Sequence, residues 1–414
     1  MSSLEMTRNE IIAVSRRPIK PSLLLFFAFL ALSGAAVFVS GIFGPQSQRI
    51  WQVYLINYVF WTGLAAGCVL FSAILSITHA HWGRPLKRLA EAPGFFLPVS
   101  LVLFAVLYHG RNELFPWIAN PVPEKAAWLN VSFLFLRDGV GLSALTAAAL
   151  VLIAISVGRE RPGASDYSSQ SPHHEEGREE GKAVAAAQIY ALLYTFILSL
   201  LAFDLVMSLS PHWFSSLFGA YYFVGSFFGG LALLMILAVL ARRKQEMRQI
   251  IMADHLHNLG KLMLGFTLVT GDFFFTQFLV IWYGNLPEET HFVIQRTQLH
   301  PWSAVAWTVL AFAFVVPFLV LLNRNIKTRF LPMLILSSVI LCGLWLDKFL
   351  LIAPSLWSGE GLPLGLAEAM ITLGFLGIMA LCILFFLNRF YRLPYGDHLF
   401  HYGLARLTEK KEKM

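Results

Sequence analysis

Charge is what this chain has least of. Of its 414 residues only 13% are Asp, Glu, Lys or Arg, where a soluble domain carries about 25%, so a water-exposed globular surface is excluded. Cysteine is nearly absent as well. Cys68, Cys342 and Cys382 stand alone on separate apolar stretches. They form no CxxC, no haem-attachment motif and no disulfide framework. The histidines near apolar stretches, His79, His81, His109, His255, His257 and His300, all fall at the ends. That excludes the facing mid-depth pairs of a b-type dihaem site. No iron–sulfur or nucleotide motif occurs, and no metal site is expected. The chain is therefore expected to bind no redox cofactor of its own.

Long apolar runs take the place of charge. The sequence is 57% hydrophobic with 36 Phe and 11 Trp, and mean hydropathy is +0.65. A helical span needs roughly 20 apolar residues. Ten segments qualify, at 23–43, 52–79, 93–110, 129–157, 183–210, 217–241, 256–283, 302–323, 330–352 and 364–389. The first lacks a small-residue cleavage site and is read as a retained span, not a signal peptide. An all-α, ten-helix, multi-pass membrane protein is expected. Alternate connections are basic: Lys20 with Arg16 and Arg17, then Arg84/Lys87/Arg88, Arg178/Lys182, Arg242/Arg243/Lys244 and Arg324/Lys327/Arg329. The opposite connections hold only Arg49, Arg111, Lys125 and Arg296. The positive-inside rule then places both termini in the cytoplasm. The basic balance is thus a matter of topology, and no nucleic-acid partner is expected.

The expected organisation is a cytoplasmic tail over 1–22, a membrane domain over 23–390 and a cytoplasmic tail over 391–414. Residues 158–182 form a polar cytoplasmic linker in which His173-His174 sit among acids, with a solvated loop expected over a metal site. The outer connection 111–130 is rich in Pro and Trp and reads as an ordered cap. Pro287 before Glu288 and Glu289 suits the first turn of a short outer helix. A faint internal repeat joins FDLVMSLSP (203–211) to LDKFLLIAP (346–354), and NYVFWTGLAAG (57–67) to AYYFVGSFFGG (220–230). Both pairs run in one direction, as two four-helix bundles plus flanking helices would.

Seven charges break the apolar runs: Arg137, Asp138, Asp204, Lys261, Asp272, Asp347 and Lys348. At the bilayer centre each costs about 2.5–3.5 kcal/mol on insertion scales, so such residues mark functional paths or paired interiors. Arg137, Asp138, Asp204, Asp347 and Lys348 fall towards the outer side, with His109 at its rim. They are either helix-clamping ion pairs or quinol and proton groups. Asp254, His257, Lys261 and Asp272 follow i, i+3, i+4 spacing and share one helix face. A row of titratable groups on one face is what a proton relay requires. The alternative is that Asp254 to His257 cap the helix while Lys261 snorkels inward.

Three stretches carry a family resemblance. FDLVMSLSPHWFSSLFGAYYF (203–223) resembles the SLDPHWFSTxFG segment of NrfD/PsrC-type membrane subunits. DHLHNLGKLMLGF (254–266) with TQFLVIWYGNLPEET (276–290) resembles their HDLGKL…SQYLLIWYGNLPEET region. NYVFWTGLAAG (57–67) followed by RPLKRLAEAPGFFLPV (84–99) looks like ActF, the smaller of two such subunits in alternative complex III. The resemblance implies a bacterial inner-membrane subunit of a quinol-oxidising respiratory complex. Its partners would be an iron–sulfur subunit, multihaem cytochrome c subunits and a paralogous ActC-like membrane subunit, which carry the haem c and the clusters. In the paralogue a His and an Asp build a site for quinol or menaquinol. The matching positions are His109, in YHGR, and Asp138. Here Arg137 precedes the Asp where the paralogue has an aromatic, which favours an ion pair over a pocket. A purely structural anchor, or the quinol-site paralogue itself, is the alternative. An ion-coupled transporter would need inverted repeats or broken helices, of which the sequence has little.

Overall fold

The computed structural model describes residues 19–158, 173–357, 359–390, 392–394, 397 and 399–400, with backbone alone for 173–179. Most of the expected tails, and residues 159–172 of the polar linker, lie outside the described residues. Among the described residues every regular element is helical. A backbone crossing lipid must satisfy its N–H and C=O groups internally, which a helix does.

Ten helices are long and apolar enough to cross a membrane. They are α1 Pro21–Ile42, α2 Ser47–Ile77, α3 Arg84–Leu107, α4 Val131–Gly158, α5 Glu180–Leu209, α6 Phe218–Ala241, α7 Ala253–Gly284, α8 Trp302–Leu322, α9 Phe330–Leu356 and α10 Leu366–Arg389. Each answers to one expected segment. Two differ in detail. The linker ends sooner than expected, because the helix leading into α5 already begins at His173. The α3 region opens with short turns over Arg84–Phe95 before the regular helix Phe96–Leu107, as Pro85 and Pro93 dictate by withholding N–H groups.

Helix contacts sort the spans into two groups of four, α2–α5 and α6–α9, with α1 and α10 paired alongside. The groups meet along α2 and α6, the two most enclosed spans. Small residues let these backbones touch. A Cβ on Gly67 would collide with the Ser226 carbonyl, and one on Gly230 would sit 2.7 Å from Cys68 N. Two polar ties hold α10 to α2. Arg49 pairs with Glu368, and Asn57 donates to Thr372 while accepting from Trp61 and Trp345.

The side expected to face outward carries a roof of short helices. Short helices Arg111–Leu114 and Pro116–Ala119 and the turn Pro123–Lys125 form the cap. Lys125 fixes the cap to the Pro211 carbonyl. Asn285 ends α7 in the left-handed conformation, at φ 47°, which Asn adopts more readily than most residues. Pro287 then starts the surface helix Pro287–Thr297. In α8 residues Leu310–Val315 widen into a π-helix directly before Pro317, which has no N–H to return along the helix.

Candidate functional site

Arg137 is paired, but not with its neighbour Asp138. Its guanidinium crosses from α4 to α5 and grips Asp204 with two bonds of 2.6 Å. Trp128 of the outer cap donates to the same carboxylate at 2.9 Å. The Arg137 guanidinium also lies 3.9 Å from the Trp128 ring centroid. The sequence reading of an ion pair with the adjacent acid is corrected on this point. Consecutive residues on a helix point about 100° apart, so Arg137 and Asp138 face different surroundings. Asp204 is thereby a structural clamp.

Asp138 is left alone. It is 0% exposed, and neither carboxylate oxygen has a hydrogen-bond partner. It interacts electrostatically with Asp204 and Arg137 and with Tyr58 of α2. Asp204 is an acceptor like itself, so the two carboxyls can share a hydrogen bond only when one carries a proton. Tyr58 and Thr62, one turn apart on α2, have buried hydroxyls that interact with each other. His109 does not join this group. It is exposed at the outer end of α3, packed edge-on against Tyr108. The expected His109–Asp138 pair is therefore not assembled within the chain.

In the second group Asp347 accepts from Lys348 at 2.8 Å and from Tyr221 of α6 at 2.6 Å. Lys348 also sits over the rings of Tyr221 and Tyr222. Here the expected pairing of neighbours holds, because the long lysine stem folds back onto the preceding carboxylate.

The α7 stripe shares one face as expected, but that face is open rather than enclosed, with Asp272 at the edge of a cleft. Asp254, Lys261 and Asp272 are exposed and His257 is half-buried. The described residues of the chain therefore do not enclose these four groups. His255, off the stripe, is 2% exposed and caps the helix start by accepting from Met252 N–H at 2.9 Å.

A second set of charges was missed as a site. Arg84, Lys87 and Arg88 read as a solvated basic connection, yet they, Glu91 and Asp397 of the expected C-terminal tail are each at most 4% exposed. Arg84 pairs with Asp397 at 2.7 Å, and Lys87 stands 3.8 Å from the same acid. Arg88 pairs with Glu91 and donates to Ser156 of α4, while Ser72 of α2 donates to Glu91. The available signal was Glu91, a lone acid between apolar runs and two prolines.

Finally, a cleft of about 500 Å³ opens among α7, α8, α9 and the surface helix. Asp272, Asp347, Arg296 and Trp213 are among its lining residues. Trp213 stacks flat on Phe292 at 3.8 Å. Among the described residues no three His, Cys, Asp or Glu converge as a metal site.

A family model for NrfD, polysulphide reductase, matches residues 42–358. The chain belongs to the NrfD family. No match to a curated protein was found. NrfD-family proteins are integral membrane subunits of redox complexes and partner with other redox subunits. The matched stretch begins at the last residue of α1 and ends two residues beyond α9. The NrfD unit is thus the pair of four-helix groups, with α1 and α10 added at its side.

Proposed function

We propose that this NrfD-family chain is a membrane subunit of a quinol-oxidising respiratory complex of the alternative complex III type. In that reading it resembles ActF, anchors the iron–sulfur and multihaem cytochrome c subunits, and offers a protonatable group inside the membrane. It would do so in a bacterial inner membrane, beside an ActC-like paralogue. The supporting observation is Asp138. Arg137 is already committed to Asp204, so a proton on Asp138 leaves the three residues neutral, and its loss leaves one net negative charge in an enclosed interior. Such a trio loads and releases a single proton without rearranging its clamp. Quinol oxidation yields two electrons and two protons. The electrons pass to cofactors held by partners, and a buried carboxyl of this kind acts on the protons by acid–base chemistry.

The arrangement also supports a division of labour among the charges. Asp204, Arg137, Asp347 and Lys348 satisfy one another and serve as anchors. Asp138 is the buried acid of this group with no hydrogen-bond partner of its own.

The test is Asp138→Asn in the assembled complex, reconstituted in vesicles. Slowed quinol-driven proton release, with the complex intact, is the expected result. Unchanged turnover and unchanged proton release would remove Asp138 from the mechanism. His109→Ala, in contrast, is expected to leave both unchanged.

A further inference from the structure

The cleft in the second helix group lies in the outer half of the membrane. Its α7 wall runs from Leu268 to Ile281, and its roof is the surface helix at Phe292–Thr297. Asp272 sits twelve residues before the end of α7, about 18 Å along the axis. That places it near the middle of a hydrocarbon layer roughly 30 Å thick. It is exposed and has no hydrogen-bond or ion-pair partner among the described residues. An aspartate is too short to snorkel from that depth, and bare hydrocarbon does not tolerate it. The rest of the wall is almost wholly apolar and rich in rings, including Phe218, Phe275, Phe278 and Phe314. The π-helix of α8 supplies Leu310, Ala313 and Phe314 to the wall, a local widening of the kind often found at binding sites.

We infer that this cleft binds one isoprenoid quinol, with a ring hydroxyl on Asp272. The chemistry selects the class. A carboxylate accepts and a carboxylic acid also donates, so a partner that answers either state at mid-depth must both donate and accept. A quinol hydroxyl does so on a flat apolar body that fits the ring-lined wall. The ester carbonyls of a phospholipid are acceptors, and its head group belongs at the surface. The volume is in the range of ordinary ligand pockets. This site is separate from Asp138, which belongs to α4 in the other helix group. The inference rests on the quinol-oxidising reading only for the identity of the amphiphile.

The experiment uses the purified complex in lipid nanodiscs and two probes: a quinol with a diazirine in a decyl tail, and a phosphatidylcholine with a diazirine in an acyl chain. Cross-links are mapped by peptide mass spectrometry. Expected is quinol-probe labelling within 268–281 or 306–314 that excess unlabelled decylubiquinol removes. Ala313→Phe, which fills the cleft, abolishes it. Asp272→Leu requires roughly fivefold more probe for equal labelling, the loss expected for one hydrogen bond. Melting temperatures of both variants are measured alongside, and Asp272→Leu decides if Ala313→Phe does not fold. Labelling by the lipid probe alone, or quinol labelling indifferent to Asp272→Leu, overturns the inference. A complex that oxidises quinol yet shows no label in the cleft overturns this site and leaves the proposed function standing. A complex that labels but never oxidises quinol does the reverse.

Discussion

In the α2–α5 group the outer aspartate, Asp204, draws its counter-charge from another helix. In the α6–α9 group the outer aspartate, Asp347, draws it from the next residue along the chain. Both acids lie seven residues before a proline, and both sit near the outer end of the fourth helix of their group. The consequences differ. Arg137 staples α4 to α5 and leaves Asp138 sealed inside, with no opening to the membrane. Lys348 staples nothing across α7 or α8, and there the wall parts into the cleft. One side of the molecule is closed around a single unpaired carboxyl, and the other is open around a carboxyl at its rim.

The largest expected effect breaks the cross-helix staple. Arg137→Ala removes one partner of a buried pair and should cost about 3–5 kcal/mol, read as a marked drop in melting temperature in detergent. A shift of only a degree or two would mean that α4 and α5 are held by apolar packing alone. Asp347→Asn should cost less, about 1–3 kcal/mol, since Lys348 keeps its contacts with the Tyr221 and Tyr222 rings. If the two losses prove equal, the contrast between a cross-helix clamp and a local one is wrong.

A smaller effect concerns the roof of the cleft. Pro354 inside α9 has no N–H, so the Leu350 carbonyl lacks its usual helical partner. Arg296 takes that carbonyl at 3.0 Å and the Leu351 carbonyl at 2.9 Å. It is 3% exposed and pairs with no acid among the described residues. Burial pulls its pKa down to about 9, still above neutral, so it stays charged at physiological pH. Arg296→Ala should cost about 1–3 kcal/mol. In a Pro354→Ala background, where the helix answers its own carbonyl, the cost should fall. Additive losses in this double-mutant cycle would break the link. The smallest effect is expected on the outward face of α7. Lys261→Gln should change the stability of the isolated chain by no more than about 0.5 kcal/mol. A larger loss would place Lys261 in an internal contact.

The fold was legible because each span is written in local composition. Ten apolar runs, the Pro287-Glu288-Glu289 helix start and the Pro- and Trp-rich cap needed no knowledge of neighbours. The site was legible only in part. Asp138, Asp204 and Asp347 announced themselves as costly residues, but sequence adjacency suggested that Arg137 answers Asp138. The guanidinium's reach, and the position of α5 beside α4, decided otherwise. Spacing gave the correct face for Asp254, His257, Lys261 and Asp272, yet a helical period does not say whether a face looks inward or outward. The buried Arg84–Glu91 network was hidden for the opposite reason. A cluster of cations beside prolines looks the same whether water or protein surrounds it, and only the close approach of Ser72, Ser156 and Asp397 distinguishes the two.

One missing N–H reaches further than its own helix. Pro354 lies on the roof side of the cleft, and the arginine that answers it belongs to the surface helix on the expected outer face. That helix is therefore wired to α9, the helix that carries Asp347. A subunit that pressed on or lifted the surface helix would pull on the α9 backbone directly, at the point where its hydrogen-bond ladder is already open. The gap in one helix ladder thus becomes the joint between the surface helix and the helix that carries Asp347.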